Sequence, residues 1–130
     1  MFMMRTSRPS SGTQRKGDRI QTFSGRVFYP LDPRFSEVCV IDIAHMLSMK
    51  CRFSGATRDF YSVAQHAILL SHAVPAEFAY AALHHDDSEA YLPAVPSAVK
   101  PFLVGFKEIE HDVEVAVCIA LHVDIIRLSL

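Results

Sequence analysis

Histidine and carboxylate side chains in the middle of the chain have the types and spacing of a metal-binding set. His85 and Asp86 are adjacent, Glu89 follows them, and His66 lies earlier in the sequence. Residues three and four apart share a helix face, so His85, Asp86 and Glu89 can converge on one cavity. Imidazole and carboxylate together suit a borderline or hard divalent ion. We therefore expect one divalent ion, Co, Mn, Zn, Fe or Mg, and the spacing leaves its identity open.

A structural role is the alternative for these histidines. The chain has seven of them, and a histidine on an apolar helix stripe is more often a hydrogen-bonded core residue than a ligand. For His66 alone this favours the structural role. The carboxylates of Asp86, Asp87 and Glu89 favour a metal-binding role instead. Several carboxylates inside a small domain are costly unless a cation or protons compensate their negative charge. An ion held there would acidify bound water and polarise a phosphoryl oxygen.

Helices must position these residues, since no alternating strand pattern of useful length occurs. Capping and proline signals predict three helices before residue 93. The first begins at an Asp42 cap and ends near Lys50. The second begins at a Ser62 cap, ends before Pro75 and carries His66 on an apolar stripe of Val63, Ala67 and Leu70, widened by Ile68 and Leu69. The third runs from Pro75 through His85 toward Leu92.

The remainder of the chain also predicts helix. We expect a short helix at about 97–103 and a long one at about 106–121. The inward positions of the long helix are Ile109, Val113, Ala116, Val117 and Ala120. Residues 23–32 mix aromatic, Gly and Pro residues and predict an ordered loop. The fold class is therefore all-α, a compact bundle of about five helices.

Length and composition limit the possible domain organisation, binding partners and cellular location. The 130 residues fit one domain, 21–130, preceded by a basic tail, 1–20, which we expect to be disordered, with an organelle transit peptide as the alternative. Outside this tail the charge is mildly acidic, which disfavours nucleic-acid binding. No apolar run approaches the roughly 18 to 20 residues that span a bilayer. Three cysteines without a CxxC pair indicate free thiols in the cytoplasm.

Four ordered sequence blocks resemble the HD superfamily of metal-dependent phosphohydrolases, and within it the 5′-deoxynucleotidase-like branch. They are Asp42-Ile43-Ala44-His45, Cys51-Arg52-Phe53-Ser54-Gly55, Tyr61-Ser62-Val63-Ala64-Gln65-His66 and His85-Asp86-Asp87-Ser88-Glu89-Ala90-Tyr91-Leu92. The similarity runs from about Gly25 to Lys100. It implies an HD-domain helical fold, a small nucleotide substrate, with a deoxynucleoside 5′-monophosphate favoured, and a homodimer.

The resemblance also implies residue roles. The metal ligands fall on His66, His85 and Asp86, and the catalytic acidic residue falls on Glu89. Arg52 matches an arginine that contacts the substrate phosphate, a role that suits the two parallel hydrogen bonds of a guanidinium. Ser88 and the residues after it fix this alignment, so His84 and Asp87 lie beside the ligands without being ligands.

Two departures from the family pattern bear on activity. Ala94 stands where relatives carry an aspartate that handles the attacking water, and no residue matches the last metal ligand, an aspartate on a later helix. Asp112 and Asp124 are poorly placed to replace it. We expect a three-ligand site and a domain that is incomplete at its C-terminus, with an apolar segment, 125–130, left to pack on a further helix or a second copy. The alternatives to a phosphohydrolase are a degenerate HD domain that binds nucleotide or metal without turnover, and a helical interaction domain.

Overall fold

A computed structural model of the chain describes residues 14–128. The fold is all-α, as predicted. Its four α-helices are α1 (Val40–Ser48), α2 (Val63–Ala73), α3 (Ala79–Leu83) and α4 (Phe106–Leu121). Six 3₁₀ segments lie before, between and after them, at Phe35–Glu37, Arg52–Gly55, Ala76–Phe78, Asp87–Ala90, Lys100–Phe102 and Ile125–Leu128. Within the described range no strand forms, and none of its helices has the length and apolar character needed to cross a membrane.

Helices α2 and α4 begin and end where the local sequence signals place them. Ser62 caps α2 in a capping box, because its hydroxyl accepts from the Gln65 amide while the Gln65 side chain accepts from the Ser62 amide. Helix α4 starts after Gly105 and ends at His122, both with left-handed backbone. The predicted bounds of the long helix are confirmed.

The main core joins α1, α2 and α4 to the segments around them. Its inward residues on α4 are Val113, Ala116 and Val117, with Ile109 and Ala120 packed against them. Phe28 from the predicted ordered loop is fully buried and stacks on Tyr91, with ring centroids 3.8 Å apart. This core fixes α4 behind the segment that carries His85 and Asp86.

Three local predictions were wrong. The cap of α1 is Cys39, and Asp42 lies inside the first turn, fully buried, where its carboxylate accepts hydrogen bonds from the amide and hydroxyl of Ser24 at 2.6 and 2.8 Å. Ile68 and Leu69 are exposed, since the inward face of α2 is narrower than predicted. The predicted third helix is not continuous, because α3 ends at Leu83 and the chain turns before the 3₁₀ segment Asp87–Ala90.

Both ends of the described chain pack against the rest of the domain. Arg15 donates to the carboxylates of Asp32 and Glu37 and lies over the Tyr29 ring. Most of the predicted disordered tail, residues 1–13, lies outside the described residues. At the other end, Val123, Ile125 and Leu128 pack with Ala81 and Cys118 in a second small cluster, whereas Ile126 is exposed. Ile125 and Leu128 of the apolar C-terminal segment therefore pack within the domain.

Candidate metal centre

His85 and Asp86 are the two central residues of a tight turn. Helix α3 ends at Leu83, and His84 and Asp86 leave helical backbone, with φ/ψ of −103°/7° and −108°/15°. The Asp87 amide donates to the His84 carbonyl at 3.2 Å and closes the turn. The turn, and not helical spacing, therefore determines where the His85 and Asp86 side chains lie.

Helix α2 brings His66 to this turn. One donor atom from each of His66, His85 and Asp86 lies within 4.8 Å of the others. Asp86 Oδ2 is 3.0 Å from His85 Nε2 and 3.6 Å from His66 Nε2. Two imidazole nitrogens and a carboxylate oxygen that converge in this way form a mixed N/O donor set suited to a divalent transition ion.

The His85 ring has the orientation of a metal ligand. Its Nδ1–H donates to the Ala82 carbonyl at 2.6 Å, which leaves Nε2 facing Asp86. Ligand histidines usually donate their second nitrogen to a carbonyl or carboxylate in this way. Burial lowers the pKa of His85, but the hydrogen bond and charge of Asp86 outweigh burial and leave it above its ordinary value. The ring thus presents Nε2, beside Asp86, as the nitrogen available to an ion.

The Asp86 carboxylate is ionised in this surrounding. Burial raises its pKa, but the hydrogen bond from His85 and the charges of His85 and Arg52 outweigh burial and leave it below its ordinary value. The site therefore offers one negative charge to a cation near neutral pH.

Arg52 lies against the outer side of His66. Its Nη1 donates to His66 Nδ1 at 2.6 Å, since a guanidinium has no acceptor. Burial lowers the pKa of His66 and the Arg52 charge lowers it further, so this ring is neutral with its proton on Nε2. A ligand bond from Nε2 requires the proton on Nδ1 instead. Ion binding at His66 therefore requires Arg52 to release Nδ1.

A short anchored loop presents Arg52. The Arg52 amide donates to the Tyr61 carbonyl at 2.8 Å, next to the antiparallel bridge between Cys51 and Ser62. Phe53 and Ser54 follow with positive φ of 54° and 52°, a conformation that costs residues with a Cβ roughly 1–2 kcal/mol each. The loop thus holds the Arg52 backbone against the start of α2.

Glu89 lies beside the donor group but is not part of it. It follows the turn within Asp87–Ala90 and is half-buried. Burial raises the pKa of Glu89, and the negative charge of Asp86 raises it further. A raised pKa makes the carboxylate a stronger base toward a proton of bound water. The predicted acidic residue and the three predicted ligands are thus neighbours.

Lys50 was not predicted to contribute to this region. Its ammonium donates to the carbonyls of Glu89, Ala90 and Leu92, the last two at 3.4 and 3.2 Å. Burial lowers the pKa of Lys50. The ammonium replaces the intrahelical partners that these carbonyls lack where the 3₁₀ segment ends. It therefore fixes the backbone around Glu89.

Ala94, Asp112 and Asp124, the residues considered at the two departures from the HD pattern, are not part of the donor group. Ala94 is exposed after the segment that Lys50 holds. Asp112 is exposed on α4, and Asp124 pairs with Arg127 near the end of the described chain. Among residues 14–128, the donor group has three members.

Comparison with known proteins adds one relative of unassigned activity. No protein-family model matches the sequence. The chain is similar to "Uncharacterized protein YfdR" of Escherichia coli (strain K12), with 44% identity over 98 residues that cover 75% of this chain. The chain spans 55% of the length of that relative. Its name states no reaction, so the case for function rests on the site.

Proposed function

We propose that the protein is a metal-dependent phosphohydrolase of the HD type that acts on a small nucleotide. The observation that carries the proposal is the convergence of His66, His85 and Asp86, with Arg52 directly beside them. The motif resemblance favours a deoxynucleoside 5′-monophosphate as substrate.

The residues of the site suit the steps of phosphate release. When bound, a divalent ion supplies Lewis acidity, which polarises a phosphoryl oxygen and acidifies water. Arg52, displaced from His66 Nδ1, carries a guanidinium that can bind two phosphate oxygens and neutralise their charge. Glu89, whose pKa is raised, can take a proton from the attacking water. Arg52 would leave His66 when it binds the substrate phosphate. Substrate binding would therefore favour binding of the ion at His66.

Phosphate release from a panel of nucleoside and deoxynucleoside 5′-monophosphates tests this proposal. The purified protein is assayed with Mn²⁺, Co²⁺, Zn²⁺, Fe²⁺ and Mg²⁺ in turn. We expect metal-dependent release that His66→Gln and Asp86→Asn each reduce at least about a hundredfold, since they remove a ligand. His72→Gln is the matched control, because His72 is exposed on the same helix as His66. Equal rates in His66→Gln and His72→Gln would sink the proposal.

A domain that binds nucleotide without turnover is the second candidate. It is favoured by the exposed Ala94 and by the three-member donor group among residues 14–128. Calorimetry with a deoxynucleoside 5′-monophosphate and Mn²⁺ separates the two candidates. Saturable binding that Arg52→Met abolishes, together with no phosphate release, would support the binding domain.

A further inference from the structure

The residues on either side of His85 and Asp86 pair with each other. His84 Nδ1–H donates to Asp87 Oδ2 at 2.5 Å, and the side chains are only 11% and 4% exposed. These two residues are the first and fourth positions of the turn whose second and third positions are His85 and Asp86. The same turn is therefore closed by a backbone hydrogen bond and by a side-chain hydrogen bond.

The pair ties the turn to both elements that flank it. The His84 ring contacts the Tyr80 ring edge to face, with centroids 4.7 Å apart, and so lies against α3. Asp87 begins the 3₁₀ segment Asp87–Ala90. The two ends of the turn are thus held at a fixed separation inside the domain.

We infer that His84 and Asp87 are positioning residues that set the donor atoms of His85 and Asp86. The pair holds the backbone of the turn, and the turn directs the two side chains toward His66. The inference rests on the proposed function to the extent that these atoms bind a divalent ion. Neither His84 nor Asp87 contributes an atom to the donor group.

Substitutions at His84 separate its hydrogen bond from its packing. His84→Phe keeps a ring against Tyr80 but removes the donor. His84→Asn keeps an N–H donor near the position of Nδ1 while it removes the ring. Tyr80→Phe is the matched control, because it deletes the hydrogen bond from the Tyr80 hydroxyl to the Leu121 carbonyl and leaves the His84–Asp87 pair intact.

Co²⁺ titration, followed by visible absorption and calorimetry, measures the effect well below each variant's melting temperature. We expect His84→Phe to weaken Co²⁺ binding about 10- to 100-fold, as loss of partners outside the ligand set typically does. The Co²⁺ affinity of His84→Asn should lie within about threefold of that of the natural protein. Tyr80→Phe should lose thermal stability without a change in Co²⁺ affinity. Unchanged Co²⁺ affinity in His84→Phe would overturn the inference. If His84→Phe does not fold, Asp87→Leu replaces it, because it removes the acceptor at similar volume; weaker binding is expected, and unchanged affinity again counts against the inference.

Nitrogen NMR of the histidine rings distinguishes failure of this inference from failure of the proposed function. If the natural protein binds none of the assayed ions, the proposed function is overturned. The inference is then decided in the metal-free protein by the His85 Nδ1–H that donates to Ala82. In the natural protein, Tyr80→Phe and His84→Asn, we expect an observable Nδ1–H signal from His85 that exchanges slowly with solvent. In His84→Phe we expect this signal to be lost. Retention in His84→Phe would refute the positioning role.

Discussion

Replacement of Lys50 by Met tests whether one ammonium holds the backbone around Glu89. Met has a similar length and can fill the same space, but it cannot donate to the carbonyls of Glu89, Ala90 and Leu92. Hydrogen bonds to a charged group contribute about 1.5–3 kcal/mol, and a buried carbonyl left without a partner costs about 1–3 kcal/mol. Removal of a half-buried charge offsets part of this loss.

The net effect expected for Lys50→Met is a decrease of about 2–3 kcal/mol in the free energy of unfolding. For a domain of this size that corresponds to about 10 °C in Tm. Urea unfolding followed by circular dichroism measures the free energy, and amide exchange shows whether residues 89–92 lose protection first. Lys107→Met is the matched control, because Lys107 is exposed on α4 and should change stability by less than about 0.5 kcal/mol. If Lys50→Met is no more destabilising than Lys107→Met, the ammonium does not support this segment.

Three further predictions concern other parts of the domain. Ser54→Gly should stabilise the fold by about 0.5–1 kcal/mol in urea unfolding, since glycine relieves the left-handed strain but loses more entropy on folding; a destabilised variant would contradict this. Asp42→Ala should cost about 2–4 kcal/mol in the same assay, because Ser24 loses both hydrogen bonds; a change below about 1 kcal/mol would show that these bonds contribute little. Iodoacetamide should label Cys51 before Cys118 as pH rises, because the hydrogen bond with Thr57 lowers the pKa of Cys51 whereas burial raises that of Cys118 to about 11. Mass spectrometry that finds Cys118 labelled first would refute this assignment.

Local signals in the sequence predicted the elements whose ends are fixed locally. The Ser62 cap, the stop before Pro75 and the bounds of α4 depend on residues within a turn of each helix end. The all-α fold class and the inward positions of α4 follow from the same periodicity. Asp42 was misassigned because its partner, Ser24, lies in a loop distant in sequence.

Only part of the candidate site could be predicted from the sequence. The donor residues could be proposed from their types, but their convergence depends on the packing of α2 beside α3. The turn at His84 was missed because helix periodicity continues through it, while the His84–Asp87 pair favours a different backbone. Lys50 could not be found, since contacts of a lysine with carbonyls some 40 residues away leave no pattern in sequence.

The stack of Phe28 on Tyr91 gives the protein a built-in optical reporter. The chain has no tryptophan and four tyrosines, so near-ultraviolet dichroism comes from few rings. Tyr91 is held in the core by the stack and accepts a hydrogen bond from the Cys39 amide, and burial raises its pKa to about 12. Tyr91 lies two residues after Glu89 in the sequence. A change in tyrosine dichroism during Co²⁺ titration would therefore report movement of this segment without any introduced label.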